Sequence, residues 1–333
     1  MNDGGRVFIS SKREDVWHRL VGDAYERWSF NAISDDGREV VCISFYDHCP
    51  LSPRYYSNDL RRVPVVEFLY SVGGKAVASA FREYSQAAFS EKQNGYGIGP
   101  NNFRSSSADY GTGQLISIDL PISGGENVTA ELEWLTVEEE KFIRDGDVGD
   151  VANVVTPRAD VSGRLIVTGK RENTFHFRGT GCHSHDIIRG SVMDERSQFS
   201  GCAHFSDTTL LFMFGRDTSL LLITSDGARE LSLQVEKVSW QRNRYGMKHP
   251  REVRFTADDG TSLVVRPSTT IMSAVSTIRS RTEFELTESG KQAKLANGLT
   301  FYTSPRRLRH SVLRFFSGLG ISVDDQRSLT AVP

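Results

Sequence analysis

The sequence predicts an all-β protein with two tandem antiparallel β-barrel or sandwich domains and a short C-terminal helix. Asp-Gly pairs stand between apolar runs at 36–37, 226–227 and 259–260, and such pairs tolerate the positive φ of tight hairpin turns. Over 128–134, apolar and polar residues alternate with the period of two that is typical of a half-buried strand. Strands at this spacing, joined by short polar turns, indicate antiparallel sheets rather than βαβ units.

The composition argues against several classes of protein. The 333 residues include 40 Lys and Arg against 42 Asp and Glu, whereas bulk nucleic-acid binding needs a concentrated basic surface. No apolar run approaches the roughly 18 residues that span a bilayer, and the segment from Met1 to Lys12 lacks the apolar core of a signal peptide. Four cysteines are too few for a disulfide scaffold. We therefore expect a cytoplasmic globular protein with no nucleic-acid partner.

A seam rich in Gly and Asp near 145–157 precedes a new series of predicted strands. It divides the chain into an N-terminal β-domain over 1–155 and a C-terminal β-domain over 156–333. Within the first of these, the segment 93–110 holds many Gly, Asn and Ser residues. That composition predicts a long loop that can lie over an opening.

The segment 305–319 is the best candidate for a helix. Pro305 suits the first helical turn, and apolar side chains recur at helical spacing with basic ones between them. The pattern predicts a closing helix that docks its apolar face on a barrel. The alternative is peripheral contact with an anionic membrane surface. The apolar positions are Leu308, Val312, Leu313 and Phe316, and the basic ones are Arg306, Arg307, Arg309 and Arg314.

The densest group of polar residues lies over 175–186, and four of the eight histidines fall within 176–204. Imidazoles that titrate near neutral pH suit proton transfer. His183 is therefore the first candidate acid, with Asp186 to orient a neighbouring imidazole and His185 in reserve. In an extended strand the two histidines point to one face, and the other face carries Cys182, Ser184 and Asp186.

Two other interpretations of the histidines stay open. The His-x-His pair can bind zinc together with Cys202 or His204, which would make the protein a zinc hydrolase. Alternatively, the imidazoles are structural and satisfy their hydrogen bonds between strands. Metal analysis of the purified protein distinguishes the two.

An aromatic segment over 25–32 places Trp28 and Phe30 beside Glu26, just before a predicted hairpin. Such a stripe is typical of a hydrophobic core, or else it lines an apolar ligand pocket. In the second case Glu26 is a further candidate acid. Trp240 and Tyr245 offer a similar aromatic pair in the second half of the chain.

Five segments together resemble the carotenoid 1,2-hydratase-like (lipocalin-like) family. Members typically begin with a Tyr-Glu-Trp-Trp-Tyr-Phe-Asp-Ala segment, a Ser-x-Asp-Gly turn and a Ser-Pro-x-Tyr motif. Later they carry a Pro-Arg-Ala segment and a Gly-x-Gly-Tyr-His-Asp-His-Asn motif. The order and spacing agree over nearly the whole chain. The matching segments are Tyr25–Ala32, Ser34–Gly37, Ser52–Tyr56, Pro157–Val161 and Gly179–Asp186.

The resemblance implies two tandem lipocalin-like domains with a hydrophobic pocket near their junction. Members and relatives of the family hydrate carotenoid end groups, cyclise terpenoid or tocopherol-type substrates, or shape polyketide chains for Diels–Alder cyclisation. The resemblance also implies that the reaction needs no metal or redox cofactor. Where hydratases carry the Tyr and the catalytic Asp, this chain has Cys182 and Ser184, and near 150–152 it lacks their His and Trp. These departures favour a relative that cyclises or folds another natural product over a true hydratase.

The sequence therefore predicts a cofactor-independent cyclase or hydratase-type enzyme that acts on a hydrophobic polyene, terpenoid or polyketide intermediate. The alternative is a non-catalytic carrier of a hydrophobic small molecule. No metal ligand is assigned in the leading hypothesis. The candidate catalytic residues are His183, Asp186, His185 and Glu26, and the candidate substrate-binding residues are Trp28, Phe30, Cys182, Ser184, Trp240 and Tyr245.

Overall fold

The predicted all-β class is confirmed by a computed structural model of the chain. Its strands form one large antiparallel sheet, which curls round its own core, and one closed barrel of eight strands. The described residues are 8–9, 17–22, 24–52, 62–92, 94–108, 111–137, 151–188, 197–215, 218–318 and 322–323.

Thirteen strands make up the sheet, in the spatial order β21-β5-β4-β3-β2-β12-β11-β10-β9-β8-β7-β6, with β1 beside β11. Only the short β1 and β21 pair in parallel. The strands are β1 (Phe8–Ile9), β2 (Tyr25–Ser34), β3 (Glu39–Tyr46), β4 (Val65–Val72), β5 (Lys75–Glu83), β6 (Phe89–Lys92), β7 (Gly95–Ile98), β8 (Asn101–Ala108), β9 (Gly111–Pro121), β10 (Asn127–Thr136), β11 (Val151–Thr168), β12 (Glu172–Ile188) and β21 (Ser322–Val323).

The barrel follows in the chain, and each of its strands pairs with its sequence neighbours before the last pairs with the first. Beyond the barrel come a 3-10 turn over Pro305–Arg309 and the helix α1 (Ser311–Gly318). Shorter 3-10 turns lie at Gln86–Ala88 and Ser123–Gly125. The barrel strands are β13 (Gln198–His204), β14 (Thr208–Phe214), β15 (Thr218–Thr224), β16 (Gly227–Arg242), β17 (Lys248–Ala257), β18 (Ser262–Ser273), β19 (Thr277–Thr287) and β20 (Lys294–Thr303).

The change from sheet to barrel falls between Ile188 and Gln198. The predicted division at 155/156 lies inside β11, because β11 and β12 form a hairpin that completes the first sheet. In that sheet β12 pairs with β2 along ten residues, from Gly179 opposite Ser34 to Ile188 opposite Tyr25. The part of the predicted seam over 145–150 lies outside the described residues, as do residues 53–56 of the Ser-Pro motif.

The predicted loop over 93–110 is instead formed largely by β7 and β8, so this expectation was wrong. Residues 93, 109 and 110 are outside the described part. Tyr96, Ile98 and Phe103 are buried in the sheet's core, and the glycines between them permit close strand pairing. A Cβ on Gly95 would lie 2.0 Å from the Phe103 carbonyl oxygen. Glycine here marks close backbone approach rather than a turn.

The sheet and the barrel have separate hydrophobic cores. The core of the sheet is aromatic, with Trp28, Phe30 and Trp134 at its centre. It also takes Ala78 from β5 and Ile98 from β7, so both halves of the sheet enclose it. The barrel core is built from leucines, valines and phenylalanines of β13 to β20. A ligand site within the sheet therefore lies apart from the barrel core.

The outer face of the sheet packs against the barrel, and this contact is named the junction. Arg279 on β19 forms a buried ion pair with Glu67 on β4. The Sγ atoms of Cys182 on β12 and Cys202 on β13 lie 3.3 Å apart, and both cysteines are free. Arg281 Nη1 donates to the Gly37 carbonyl oxygen at 2.9 Å. Charged and apolar contacts thus both join the two units.

The C-terminal segment differs from the predicted docked helix. Leu308 is fully buried, but it lies in the 3-10 turn that precedes α1. Val312 and Phe316, which were expected to pack on a barrel, are exposed, and Leu313 is half-buried. Among the described residues, no helix is long and apolar enough to cross a membrane.

Candidate active site

Strands β2 and β12 carry most of the residues that the sequence singled out. The alternation predicted for 182–186 is confirmed, because His183 and His185 lie opposite Phe30 and Trp28 and stack on their rings. Cys182 and Asp186 face the other way. The strand pair therefore presents one face to the aromatic core and the other to the junction.

Glu26 is the centre of the tightest polar group on the core face. Its side chain is completely buried. His185 Nε2 lies 2.9 Å from Glu26 Oε2, and His18 Nδ1 lies 3.1 Å from the same oxygen. The His18 backbone N–H donates to Oε1 at 2.8 Å. We call these three side chains the Glu26 cluster, in which a proton can pass between carboxylate and imidazole with little movement.

Aromatic rings surround the Glu26 cluster. The His185 imidazole stacks on Trp28 with centroids 4.5 Å apart and an interplanar angle of 10°. Tyr96 lies 4.9 Å from Trp28, and Trp17 lies 4.5 Å from Phe89. Trp17 and Phe89 are half-buried, so the aromatic wall extends from the core to the surface. Such a wall can hold an apolar ligand and stabilise positive charge.

Asp47 holds the residues around the Glu26 cluster in place through hydrogen bonds. Its carboxylate accepts the Glu26 backbone N–H at 2.8 Å, Trp17 Nε1–H at 3.1 Å and Arg62 Nη2–H at 2.7 Å. Burial raises the pKa of Asp47, and the positive charge of Arg62 opposes that rise. Arg62 also donates to the carbonyl oxygens of Leu20 and Ala24. This network fixes the segment that carries Trp17 and His18 against the start of β2.

His183 does not join the Glu26 cluster. Its ring stacks on Phe30 with centroids 4.0 Å apart, and its Nδ1 lies 3.1 Å from the Ser29 carbonyl oxygen. The side chain is fully buried among aromatic residues. Among the described residues, His185 is the motif histidine that contacts a carboxylate.

Asp186 does not orient His183, because it lies on the opposite face of β12. Its Oδ2 accepts hydrogen bonds from Arg27 Nε at 2.8 Å and from Arg27 Nη2. Neighbouring residues of a strand point to opposite faces, so Asp186 cannot reach an imidazole three positions away. Asp186 instead forms an ion pair on the junction side of the sheet.

Cys182 and Ser184, the positions at which hydratases carry their Tyr and Asp, also lie on the junction face. The Cys182 thiol contacts Cys202, and that hydrogen bond together with burial raises the pKa of the Cys182 thiol well above its usual range. Ser184 is half-buried. Both residues lie on the face of β12 opposite to the one that carries His185, so neither contacts the Glu26 cluster.

Trp240 and Tyr245 do not line a pocket with Trp28 and Phe30. Trp240 lies on β16 with 41% of its surface exposed, and the Lys248 Nζ sits 4.9 Å from its ring centroid. Tyr245 is half-buried, and the Arg244 guanidinium lies 4.8 Å from its ring. Both aromatics belong to a basic surface of the barrel.

Among the described residues, the group of side chains that can hold a metal ion is the Glu26 cluster itself. Its two imidazole nitrogens and one carboxylate oxygen lie within 4.8 Å of one another. The alternative zinc set that the sequence left open is not formed, since Cys202 contacts Cys182 and His204 Nδ1 lies 3.2 Å from Thr209 Oγ1. Two histidines and a carboxylate fit a zinc ion with an open fourth position.

Sequence reasoning missed the residues that complete the site from outside β2 and β12. Trp17 and His18 lie in a polar N-terminal stretch without periodicity, and Asp47 follows the end of β3. The available signal was a Trp-His pair ahead of an aromatic strand. It gave no indication of its partner, because contacts between distant segments leave no spacing pattern in one sequence.

His48, beside Asp47, makes the stability of this region sensitive to acid. Burial is the main cause that lowers its pKa to about 4 from 6.5, and its Nδ1 accepts the Val63 N–H at 3.0 Å. The stability that depends on neutral His48 is present above pH 6.5 and is lost as the pH falls towards 4. We expect the free energy of unfolding to fall over this range by up to about 3 kcal/mol more than in His48→Asn.

Urea unfolding of both proteins at several pH values measures this difference. Above pH 7 the two curves should be parallel, which serves as the control. Equal acid sensitivity of the two proteins would assign the effect to other groups.

No protein-family model and no curated protein matches this sequence. Solved structures do match over most of the chain. A protein assigned as AttH from Nitrosomonas europaea has a TM-score of 0.61 at 12% identity, covering 90% of this chain and 97% of that one. CghA with Sch210972 has a TM-score of 0.58 at 11% identity, covering 85% and 88%. Kievitone hydratase from Nectria haematococca has a TM-score of 0.54 at 9% identity, covering 90% and 96%.

These likenesses extend over both the sheet and the barrel. They confirm the fold that the sequence resemblance implies, a two-part lipocalin-like all-β architecture. At identities of 9 to 12% they establish the fold alone.

Proposed function

We propose that the protein is a hydratase- or cyclase-type enzyme that protonates an alkene of a hydrophobic polyene or terpenoid substrate. The observation that carries the proposal is the buried Glu26 carboxylate, shared by His18 and His185 within an aromatic wall. Alkene protonation needs one acid, an apolar surround and aromatic faces near the developing cation. The Glu26 cluster and its rings combine these features.

In the proposed reaction the cluster supplies one proton and later recovers one. An O–H or N–H bond of the cluster breaks, and the π electrons of the alkene form a new C–H bond, which leaves a tertiary cation. Water then forms a C–O bond and returns a proton to the cluster, or a second alkene attacks the cation and a neighbouring C–H gives up the proton. Neither route changes the overall oxidation state, so the chemistry needs no redox cofactor.

His18 connects the cluster to solvent in this proposal. Its side chain is 24% exposed, whereas those of Glu26 and His185 are completely buried. A proton taken up by His18 can reach Glu26 across the 3.1 Å contact, and from there His185. The half-buried Trp17 and Phe89 offer the apolar surface on which a substrate would approach.

Two of the structural neighbours support this class of function. One is a hydratase by name, and another was solved with the small molecule Sch210972. Both have the same two-part fold as this chain. We infer a small-molecule substrate from the fold and an acid-catalysed step from the Glu26 cluster.

Incubation with a linear polyene such as lycopene in detergent micelles, in D₂O buffer, tests the proposal. We expect a product that carries solvent deuterium on carbon, with the added mass of water after hydration or without it after cyclisation. Mass spectrometry of the extracted lipid measures both. Retention of unconverted polyene would instead support the carrier function. Conversion that disappears after chelation and returns with zinc would assign the cluster a metal-dependent role.

A further inference from the structure

The helix α1 turns an apolar face towards solvent. Val312, Phe315 and Phe316 are 63%, 66% and 48% exposed. Their spacing of three and four residues places them on one side of the helix. Large apolar side chains grouped on the surface in this way mark a contact with another apolar medium or partner.

The outward orientation is imposed by the turn that precedes α1. Leu308 is completely buried, and Arg307 donates from Nε to the Val275 carbonyl oxygen at 2.8 Å. Its Nη2 donates to the Tyr245 carbonyl oxygen at 2.7 Å. The turn is thus anchored on the barrel, and this anchoring directs the phenylalanines of the helix towards solvent.

Within the described residues of this segment, the charged side chains are all basic. The segment 304–318 contains four arginines and no acidic residue, although the whole chain has a net charge of −2. Arg306 and Arg309 are exposed. Through Tyr245 the segment adjoins the barrel surface that carries Arg244, where the Arg244 guanidinium stacks on the tyrosine ring. Basic side chains are therefore concentrated in the segment that carries the apolar face.

We propose that this surface docks on an anionic lipid bilayer. We call it the C-terminal docking surface and define it as α1, the 305–309 turn and the adjoining turn over 242–248. Val312, Phe315 and Phe316 enter the boundary between headgroups and acyl chains, and the arginines contact lipid phosphates. An anionic bilayer fits this surface better than a second copy of the chain does, because self-association would bring two sets of arginines together.

The proposal is independent of the Glu26 cluster. Docking would bring the enzyme to the place where its substrate is concentrated, since a hydrophobic polyene partitions into a bilayer. An enzyme held at the headgroups meets such a substrate more often than one in solution. Because vesicle binding is measured without turnover, failure of docking and failure of the proposed reaction are distinguishable.

Sedimentation with vesicles tests the docking. The full chain should bind vesicles of phosphatidylcholine mixed with phosphatidylserine and should bind vesicles of phosphatidylcholine alone much more weakly. Raising the salt concentration should weaken the binding, because screening reduces the attraction to lipid charge. Two double variants should each weaken vesicle binding by about tenfold or more. One combines Arg306→Gln with Arg309→Gln, and the other combines Phe315→Ser with Phe316→Ser.

Matched controls come from exposed residues elsewhere. Lys170→Gln with Arg171→Gln removes two exposed charges from the β11–β12 turn, and Leu295→Ser removes an exposed apolar side chain from β20. Both should bind as the wild type does. The proposal is overturned by equal binding to the two kinds of vesicle, by an equal loss in the controls, or by a dimer that only the phenylalanine variant disrupts.

Discussion

Replacing Glu26 with Gln should reduce turnover of a polyene substrate by about 10²- to 10⁴-fold, the usual contribution of a positioned acid or base. The amide keeps the shape of the carboxylate but cannot supply or recover a proton. His18 Nδ1 and His185 Nε2 both lie about 3 Å from one Glu26 oxygen, so the substitution removes the group that links them. Product formation by mass spectrometry measures turnover, and fluorescence quenching of the nearby tryptophans measures polyene binding. We expect binding to persist.

Glu83→Gln is the matched control for that experiment. Glu83 is also a buried carboxylate of the sheet, at the end of β5, where Ser52 Oγ donates to it. It lies outside the Glu26 cluster, so its variant should keep wild-type turnover if it folds. His18→Ala should reduce turnover less than Glu26→Gln, because water can replace a partly exposed relay. If Glu26→Gln retains turnover within about tenfold of wild type, the cluster is not the acid.

Replacing Arg279 with Met should destabilise the protein by about 3–5 kcal/mol, because it leaves a buried carboxylate without its cation. The Arg279 guanidinium pairs with Glu67 inside the junction, and both side chains are only 6% exposed. The nearby Tyr46 hydroxyl, 3.5 Å from Glu67 Oε2, cannot replace a full positive charge. Urea unfolding followed by circular dichroism measures the change.

A double variant distinguishes the loss of the ion pair from a loss of packing. Arg279→Met with Glu67→Leu removes both charges, and it should recover much of the lost stability because no buried ion remains. Arg229→Met breaks the exposed ion pair with Asp259 on the barrel and should have a far smaller effect. If the double variant is as unstable as Arg279→Met, packing rather than charge accounts for the loss.

The sequence predicted the class of fold because its local signals agreed with one another. Asp-Gly turns, strand alternation and the five family-like segments each reflect contacts between near neighbours or a shared architecture. The predicted loop over 93–110 was wrong because glycine occurs both in turns and where two strands approach closely. The glycines over 95–99 predict a loop by their composition, whereas in the structure Gly95 permits two strands to approach closely. The predicted domain boundary at 155/156 lies within β11, and the pairing of β12 with a strand about 150 residues earlier leaves no local signal in the sequence.

The candidate site was predicted in part for a related reason. Strand geometry correctly placed His183 and His185 on one face, and aromatic spacing selected Trp28, Phe30 and Glu26. The pairing of Glu26 with His185 rather than His183 depends on the register between β2 and β12, which one sequence does not reveal. His18 was missed because its segment follows no regular pattern. Trp240 and Tyr245 were misplaced because an aromatic pair suits a surface as well as a pocket.

The pairing of β2 with β12 also governs the order in which the chain can fold on the ribosome. Tyr25 pairs with Ile188, so β2 emerges well before its partner exists. At about 5–20 residues per second, roughly ten to thirty seconds of synthesis separate the two strands. During that interval the apolar edge of β2 is available to other chains, and strand edges of this kind favour aggregation. The edge of β2 that later pairs with β12 therefore stays unpaired until residue 188 has left the ribosome.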